Sequence, residues 1–494
     1  MIFTSLIFLY LFLPVTLLSF LFITQKLKNP LLLIASLIFY AWGGVSFCSI
    51  LMGSILMNYL SGMLIEKSTN RLRKFWYIAG ILLNIAGLVI FRYTTFLVSN
   101  IDTLLALLKI NPIPVKNVFL PLGISFFTFK GICYLITVYR KETPAQRNII
   151  NLGLYIGFFP TLIAGPIDRY RSIEPQFCLT GFNPELFASG VRRVGLGLAK
   201  KVIIAAPIGY VADHIFTSPL TALNSPLAWL GGLSYMLQIY YDFSGYTDMA
   251  IGLGRMFGFQ FAENFNFPYT SHSIREFWTR WHITLSTWLR DYLFLPLAYS
   301  TSRKLKKENY SGIRVDNLIY GIAIMITFFI CGFWHGSSWT FVSWGVFYGL
   351  LLLFERTRIG KKLNKAPAVF RHVYTLFFVL IAWVIFRSPN MAFAYKFIKV
   401  MFGMGMAKTE WTNFTGYLGR EYLTMMIFAI LGCTPVFGIL LRKIKSGMNS
   451  EGILSGLTFH IYQIVSFVFL FLVMAYSTMV ILTNTLQSFI YFRF

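Results

Sequence analysis

The chain has 494 residues, of which 56% are hydrophobic, 18% aromatic and only 12% charged, about half the roughly 25% charged content of an ordinary soluble domain. That apolar surplus excludes a soluble globular enzyme, and the same hydrophobicity excludes intrinsic disorder, which leaves a polytopic membrane protein. The formal charge of +25, from 43 Lys plus Arg against 18 Asp plus Glu, comes without a recognition module or a long basic tail. It reads as cytoplasmic-loop bias and attraction to anionic membrane lipids, with no nucleic acid as partner.

Residues 2–23 are apolar and long enough to cross a bilayer, which takes about 20 residues. No basic region precedes them and no A-x-A site follows, so they are not read as a cleaved signal. Lys26 and Lys28 come next, which places the N-terminus outside the cytoplasm. The apolar stretch 31–65 is too long for one helix and holds Gly43-Gly44. It is expected to form two spans that return to the cytoplasm at Glu66–Lys74.

Spans near 75–97 and 117–138 make the next hairpin, closing on Arg140-Lys141. Further apolar segments lie near 149–164, 187–212, 226–242, 317–335, 339–354, 373–387, 421–441 and 457–483, giving roughly ten to twelve crossings in all. Residues 408–420 read as an external loop, and the C-terminus is expected outside the cytoplasm. With no repeat and no low-complexity linker, residues 1–494 are expected to form a single integral membrane domain with a catalytic core at about 117–356. Five widely spread cysteines, none in a CxxC pair, fit neither a disulfide framework nor a zinc site.

Between 240 and 296 the apolar pattern is interrupted by Asp242, Asp248, Arg255, Glu263, Arg275, Glu276, Arg280, Arg290 and Asp291. Charges beside membrane spans line a cavity, pair up or lie at the interface. Over 275–292, Trp278, Trp281, His282, Leu285, Trp288, Leu289 and Tyr292 recur at helical spacing, while Glu276, Arg280, Thr287 and Asp291 take the opposite face. The pattern predicts an amphipathic helix at a water boundary with His282 on its buried stripe. A histidine so placed reads either as a functional group or as a core residue donating to a carbonyl. The glycines of GLGRMFG (252–258) spell G-x-G-x-x-x-G with no βαβ unit around them, so the segment reads as a loop or a close packing point.

Leu318 to Phe354 is a run of 37 residues without a charge, about 55 Å as one straight helix against a hydrocarbon core of about 30 Å. The segment must fold back, and Gly336-Ser337-Ser338 is the natural break. Both flanks are basic, so both ends are expected to be cytoplasmic with His335 near the hairpin tip. An ionisable residue there is a functional candidate, or else a histidine satisfied by carbonyls set loose at the break. Cys331 lies four residues earlier, but two ligands do not make a metal site, and none is expected.

These segments resemble the membrane-bound O-acyltransferase (MBOAT) family, in its bacterial branch containing the alginate O-acetyltransferase membrane subunit. The likeness runs through PLGISFFTFKGICYLITVYR (121–140), GFFPTLIAGPIDRYRSIEPQF (157–177), GLGLAKKVIIAAPIGYVAD (195–213) and LQIYYDFSGYTDMAIGLGRMFGFQFAENFNFPY (237–269). It continues through IREFWTRWHITLSTWLRDYLFLPL (274–297), FWHGSSWTFVSWGVFYGL (333–350) and FRSPNMAFAYKFIKVMFG (386–403). Relatives acetylating peptidoglycan or other polymers share these strings, and the D-alanyl transferase of teichoic acids is a more distant cousin.

The resemblance implies an all-α polytopic bundle with re-entrant or interfacial helices and a central tunnel, in a bacterial cytoplasmic membrane. It implies an acetyl-CoA-dependent O-acetyltransferase with no bound cofactor. The donor would enter from the cytoplasm, and the acceptor would be an exported polysaccharide, reached through the serine of an extracytoplasmic SGNH/GDSL-type partner. The family's catalytic histidine maps onto His335. His282 takes the position where many eukaryotic members carry Asn or Asp.

On this reading His335 is a general base and His282 an orienting or hydrogen-bonding partner. Trp281, Trp334 and Asp291 would shape the chamber. Arg275, Arg280, Arg290, Lys200 and Lys201 would hold the phosphates of the donor. Two other classes remain open at this point, a transporter or flippase and a non-catalytic scaffold. Transporters often carry internal repeats, and none is seen here.

Overall fold

In the computed structural model the chain is described over residues 1–114, 120–178, 181–404, 415–440 and 453–483. Most of the 408–420 loop, the basic residues 442–445 and the C-terminus lie outside the described residues. The described chain is predominantly helical, with one short antiparallel hairpin pairing Asn309–Tyr310 with Ile313–Arg314. The protein is therefore an all-α polytopic membrane protein.

Six described helices are long and apolar enough to cross a membrane: Val45–Lys67, Asn70–Leu107, Pro184–Thr217, Val315–His335, Ala368–Arg387 and Gln463–Thr483. Phe8–Phe22, Ile124–Tyr139 and Trp339–Phe354 are apolar but shorter. The 31–65 stretch divides as the glycines dictate, into Lys28–Ala41 and Val45–Lys67. Gly44 between them has φ 147°, which only glycine adopts without strain. The segment near 149–164 stops short of a full span. Asn148 caps Ile149–Gly157, Phe158 is extended, and Pro160 lies in the first turn of Phe159–Leu162, because proline suits a helix start and not its interior.

The chain divides into two compact units. The first holds Met1–Val194 and Tyr246–Ala262, the second Gly195–Gly245 and Glu263–Phe494. In the first unit the GLGR segment is helical, as the end of Ser225–Met256, and Gly252 is a close packing point. A Cβ on Gly190 would stand 2.6 Å from the Gly252 carbonyl oxygen, so neither position accepts a side chain without moving backbone.

Among the described residues, the cations Arg193, Lys130, Lys201 and Arg387 each find an ion-pair or hydrogen-bond partner in the apolar body, as the cost of burying them requires. In the first unit Arg193 meets Asp248 at 2.8 Å, and Lys130 donates to Thr161 at 2.8 Å. In the second unit Lys201 meets Asp242, and Arg387 meets Asp213 at 2.7 Å.

The 275–292 stretch is not the continuous amphipathic helix that its periodicity predicts. Ile274–Arg280 and Ile283–Leu289 are separate helices, and a π-helical turn at Arg290–Phe294 leads into Leu295–Lys304. Trp281 is extended and His282 left-handed, with φ 44° and ψ 52°. Periodicity survives because the apolar residues on both sides face the same core. The break itself is imposed by the neighbouring irregular segment around Asn264–Asn266.

Candidate functional site

The second unit carries both candidate histidines, each at a helix break. The first break begins with a helix start fixed from two sides. Ser273 Oγ accepts from the Glu276 amide at 3.0 Å, and Glu276 reaches back to the His272 amide at 2.8 Å, close to a capping box. The buried Glu355 carboxylate accepts from the amides of Ile274 at 2.6 Å and Arg275 at 3.2 Å. Amides left over at a helix N-terminus need such partners.

The far end of that helix is stopped by the segment around Asn264–Asn266. The Asn266 amide donates to the Arg280 carbonyl at 3.0 Å, and the Ile283 amide donates to the Asn264 carbonyl at 2.9 Å. Asn264 Oδ1 then accepts from the Thr284 amide at 3.1 Å and the Thr284 hydroxyl at 2.8 Å, and it faces His282 Nδ1 at 3.1 Å. One asparagine thus caps the second helix with main chain and side chain together. Trp281 and His282 are thereby turned out of helical geometry and into the core, where both are buried.

The second break is the one the sequence anticipates. Val315–His335 and Trp339–Phe354 form a hairpin around Gly336–Ser338, with Ser338 capping the Thr340 amide. The two helices cross where Gly332 meets Gly345: a Cβ on Gly345 would lie 3.0 Å from the Gly332 Cα. Small residues at such a crossing let backbones approach closely. His335 is the last residue of its helix and is 4% exposed.

The fold brings the two histidines to one indole. The Trp334 ring centroid lies 6.3 Å from the His282 ring and 4.9 Å from the His335 ring. Trp344 and Phe386 stand edge-on to His335 at 4.9 and 5.4 Å, and Phe243 stands edge-on to His282 at 4.8 Å. Trp281 closes the cluster against Trp383 at 4.8 Å and Phe265 at 5.0 Å. Two imidazoles in a dense aromatic shell can exchange protons with a bound group while bulk water is kept away. Burial holds the His282 ring below the ordinary imidazole pKa, because it penalises the charged form.

The remaining sequence candidates divide. Arg280 pairs with Glu276 at 2.9 Å on a partly open face, and exposed Arg290 pairs with Asp291 at 2.8 Å. Arg275 is exposed and Lys200 half-buried. Lys201 is 5% exposed and turned to Asp242, so it is placed in the interior rather than at a water-facing phosphate surface. Among the described residues no three His, Cys, Asp or Glu side chains could hold a metal ion together. Asn264, Trp344, Phe386 and Glu355 were not singled out in the sequence. For Asn264 no local signal was available, because it lies in a segment without regular secondary structure and acts on residues about twenty positions later.

Residues 125–398 match the family model of MBOAT, the membrane-bound O-acyltransferase family. The chain is 38% identical over 465 residues to the "Probable alginate O-acetylase AlgI" of Pseudomonas aeruginosa, covering 91% of this chain and 85% of that one. It is 34% identical over 475 residues to the peptidoglycan O-acetyltransferase of Helicobacter pylori, covering 88% and 87%. Over 289 residues it is 31% identical to the teichoic acid D-alanyltransferase of Bacillus subtilis, covering 56% and 70%.

Proposed function

The chain belongs to the membrane-bound O-acyltransferase family and is an enzyme that transfers acyl groups to a polymer, and on that premise we propose that it moves acetyl from cytoplasmic acetyl-CoA to an exported polysaccharide. Alginate is the first choice of acceptor, because the most similar relatives cited above include an alginate O-acetylase matched over most of both chains. Peptidoglycan or another envelope polymer is the alternative, favoured by the match to the Helicobacter pylori enzyme. The protein would sit in the bacterial cytoplasmic membrane with both termini outside. It would pass its acetyl group through the serine of an SGNH/GDSL-type partner.

The observation that carries the proposal is the meeting of His335 and His282 on Trp334 inside an aromatic shell. A neutral His335 takes the proton of the acceptor hydroxyl as that oxygen attacks the thioester carbonyl. The C–S bond then breaks, and the thiolate of CoA leaves with the proton held on the imidazolium. General base catalysis of this kind contributes about 10²–10⁴-fold. Trp281 and Trp334 wall the chamber and exclude water, and Asp291 helps to shape its approach by holding Arg290. Arg275, Arg280, Arg290 and Lys200 lend positive charge for the donor phosphates, while Lys201 is committed to Asp242.

The test is His335→Ala in a strain scored for polymer acetylation, with release of CoA by the purified protein measured in parallel. Both are expected to fall to background while the protein still reaches the membrane. Unchanged acetylation in that variant would overturn the assignment.

A further inference from the structure

The three donors around Asn264 settle a question of proton position. The Thr284 main-chain amide donates to the Asn264 side-chain atom at 3.1 Å and the Thr284 hydroxyl reaches the same atom at 2.8 Å. A main-chain N–H can only donate, so that atom is the amide oxygen and the side chain cannot be flipped. His282 Nδ1 faces the same oxygen at 3.1 Å. Two acceptors at that distance would repel, so Nδ1 carries the proton, and in a neutral ring Nε2 then carries the lone pair. The ring is fully buried, and Nε2 has no hydrogen-bond partner among the described residues. Asn264 Nδ2 is likewise buried without one. Buried polar atoms without partners are uncommon and ask for a reason.

We infer that Asn264 is a positioning residue that holds His282 as the Nδ1–H tautomer, so that Nε2 meets substrate as a hydrogen-bond acceptor and not as a donor. The group it receives is an N–H or O–H, such as an amide of the donor's pantetheine arm or the hydroxyl of the acceptor. His282 is thereby excluded as the group that donates to the developing oxyanion of the tetrahedral intermediate, a task that needs N–H or O–H groups. The part concerning substrate rests on the acyl-transfer reading above, whereas the tautomer assignment stands without it. Burial supports the neutral ring, since ionisation inside an apolar shell is disfavoured.

The experiment combines nitrogen NMR of protein labelled at histidine only with pH–rate profiles. The His282 signal is identified by its loss in His282→Asn. Wild type is expected to show the Nδ1–H tautomer, and Asn264→Leu to lose it, with kcat lowered about 10²-fold, as for loss of an orienting partner. Asn264→Asp keeps an acceptor for all three donors. It should restore the tautomer and most of the rate, and its carboxylate should move the acid limb of kcat/KM to higher pH. Thr284→Val removes one donor and should lower thermal stability without moving that limb.

An Nε2–H signal in wild type, or an Asn264→Leu variant with the wild-type tautomer and acid limb, would overturn the inference. If Asn264→Leu fails to fold, the wild-type spectrum and the Asn264→Asp profile decide it. Continued acetylation and CoA release by His335→Ala would overturn the role given to His335 in the acyl-transfer reading and leave the tautomer standing. An Nε2–H signal would do the reverse.

Discussion

The two helix breaks of the second unit place a histidine each, but they are made in different ways. At Gly336–Ser338 everything needed is local: a glycine in extended backbone, φ −176°, and a serine that caps the helix beginning one residue later. At Trp281–His282 nothing local ends the helix. Neither residue is a helix breaker, and the stop comes from Asn264, which captures the amides of Ile283 and Thr284. A break written locally positions a side chain through backbone alone. A break imposed from elsewhere can also grip the side chain it exposes, and here the same Asn264 holds His282 by its ring.

The comparison can be tested most severely through the histidine at the local break. His335→Ala should lower acyl transfer by about 10²–10⁴-fold yet leave the melting temperature in detergent near that of wild type, because the break at Gly336 does not depend on the imidazole. A large loss of stability would mean that the two breaks are built alike. Asn264→Ala should be the most destabilising of these changes, by about 3 kcal/mol, since it strands several buried donors at once. Denaturant or thermal melts would measure it, and a cost below about 1 kcal/mol would show that the Asn264 side chain does not hold the break.

Acid should act on the imposed break through His282. Burial depresses its folded-state pKa, so the unfolded chain binds its proton first. The stability this ring contributes is whole above the unfolded value of about 6.5 and is lost as pH falls toward the folded value. The slope is at most about 1.4 kcal/mol per pH unit. Melts of His282→Asn over the same range should show a shallower acid slope than wild type, and equal slopes would remove His282 from the account. Ser338→Ala should have the smallest effect, about 1 kcal/mol for a lost N-cap, seen as a modest fall in melting temperature.

These differences explain what could be read from the sequence. The membrane class, the split at Gly43-Gly44, the fold-back at 336–338 and the burial of His282 follow from composition, length and glycine position, all of them local or summed properties. The broken 275–292 helix does not. Its apolar period is intact, and the cause of the break lies at Asn264, distant in sequence from Thr284. The reach of Lys201 was equally hidden, because a Lys-Lys pair beside apolar residues gives no sign that one of them turns inward to Asp242. The aromatic shell was visible as composition only. That Trp344 and Phe386 are the residues edge-on to His335 is a product of how the helices pack.

The left-handed backbone at residue 282 also limits which chemistry evolution can try there. Outside glycine, that conformation is tolerated chiefly by asparagine, aspartate and histidine. All three carry a polar group one or two bonds beyond Cβ. The histidine found at this position therefore belongs to the short set that the backbone admits. The vocabulary of the site is shorter than its chemistry alone would demand, and a designer seeking a new side chain at 282 would first have to rebuild the turn.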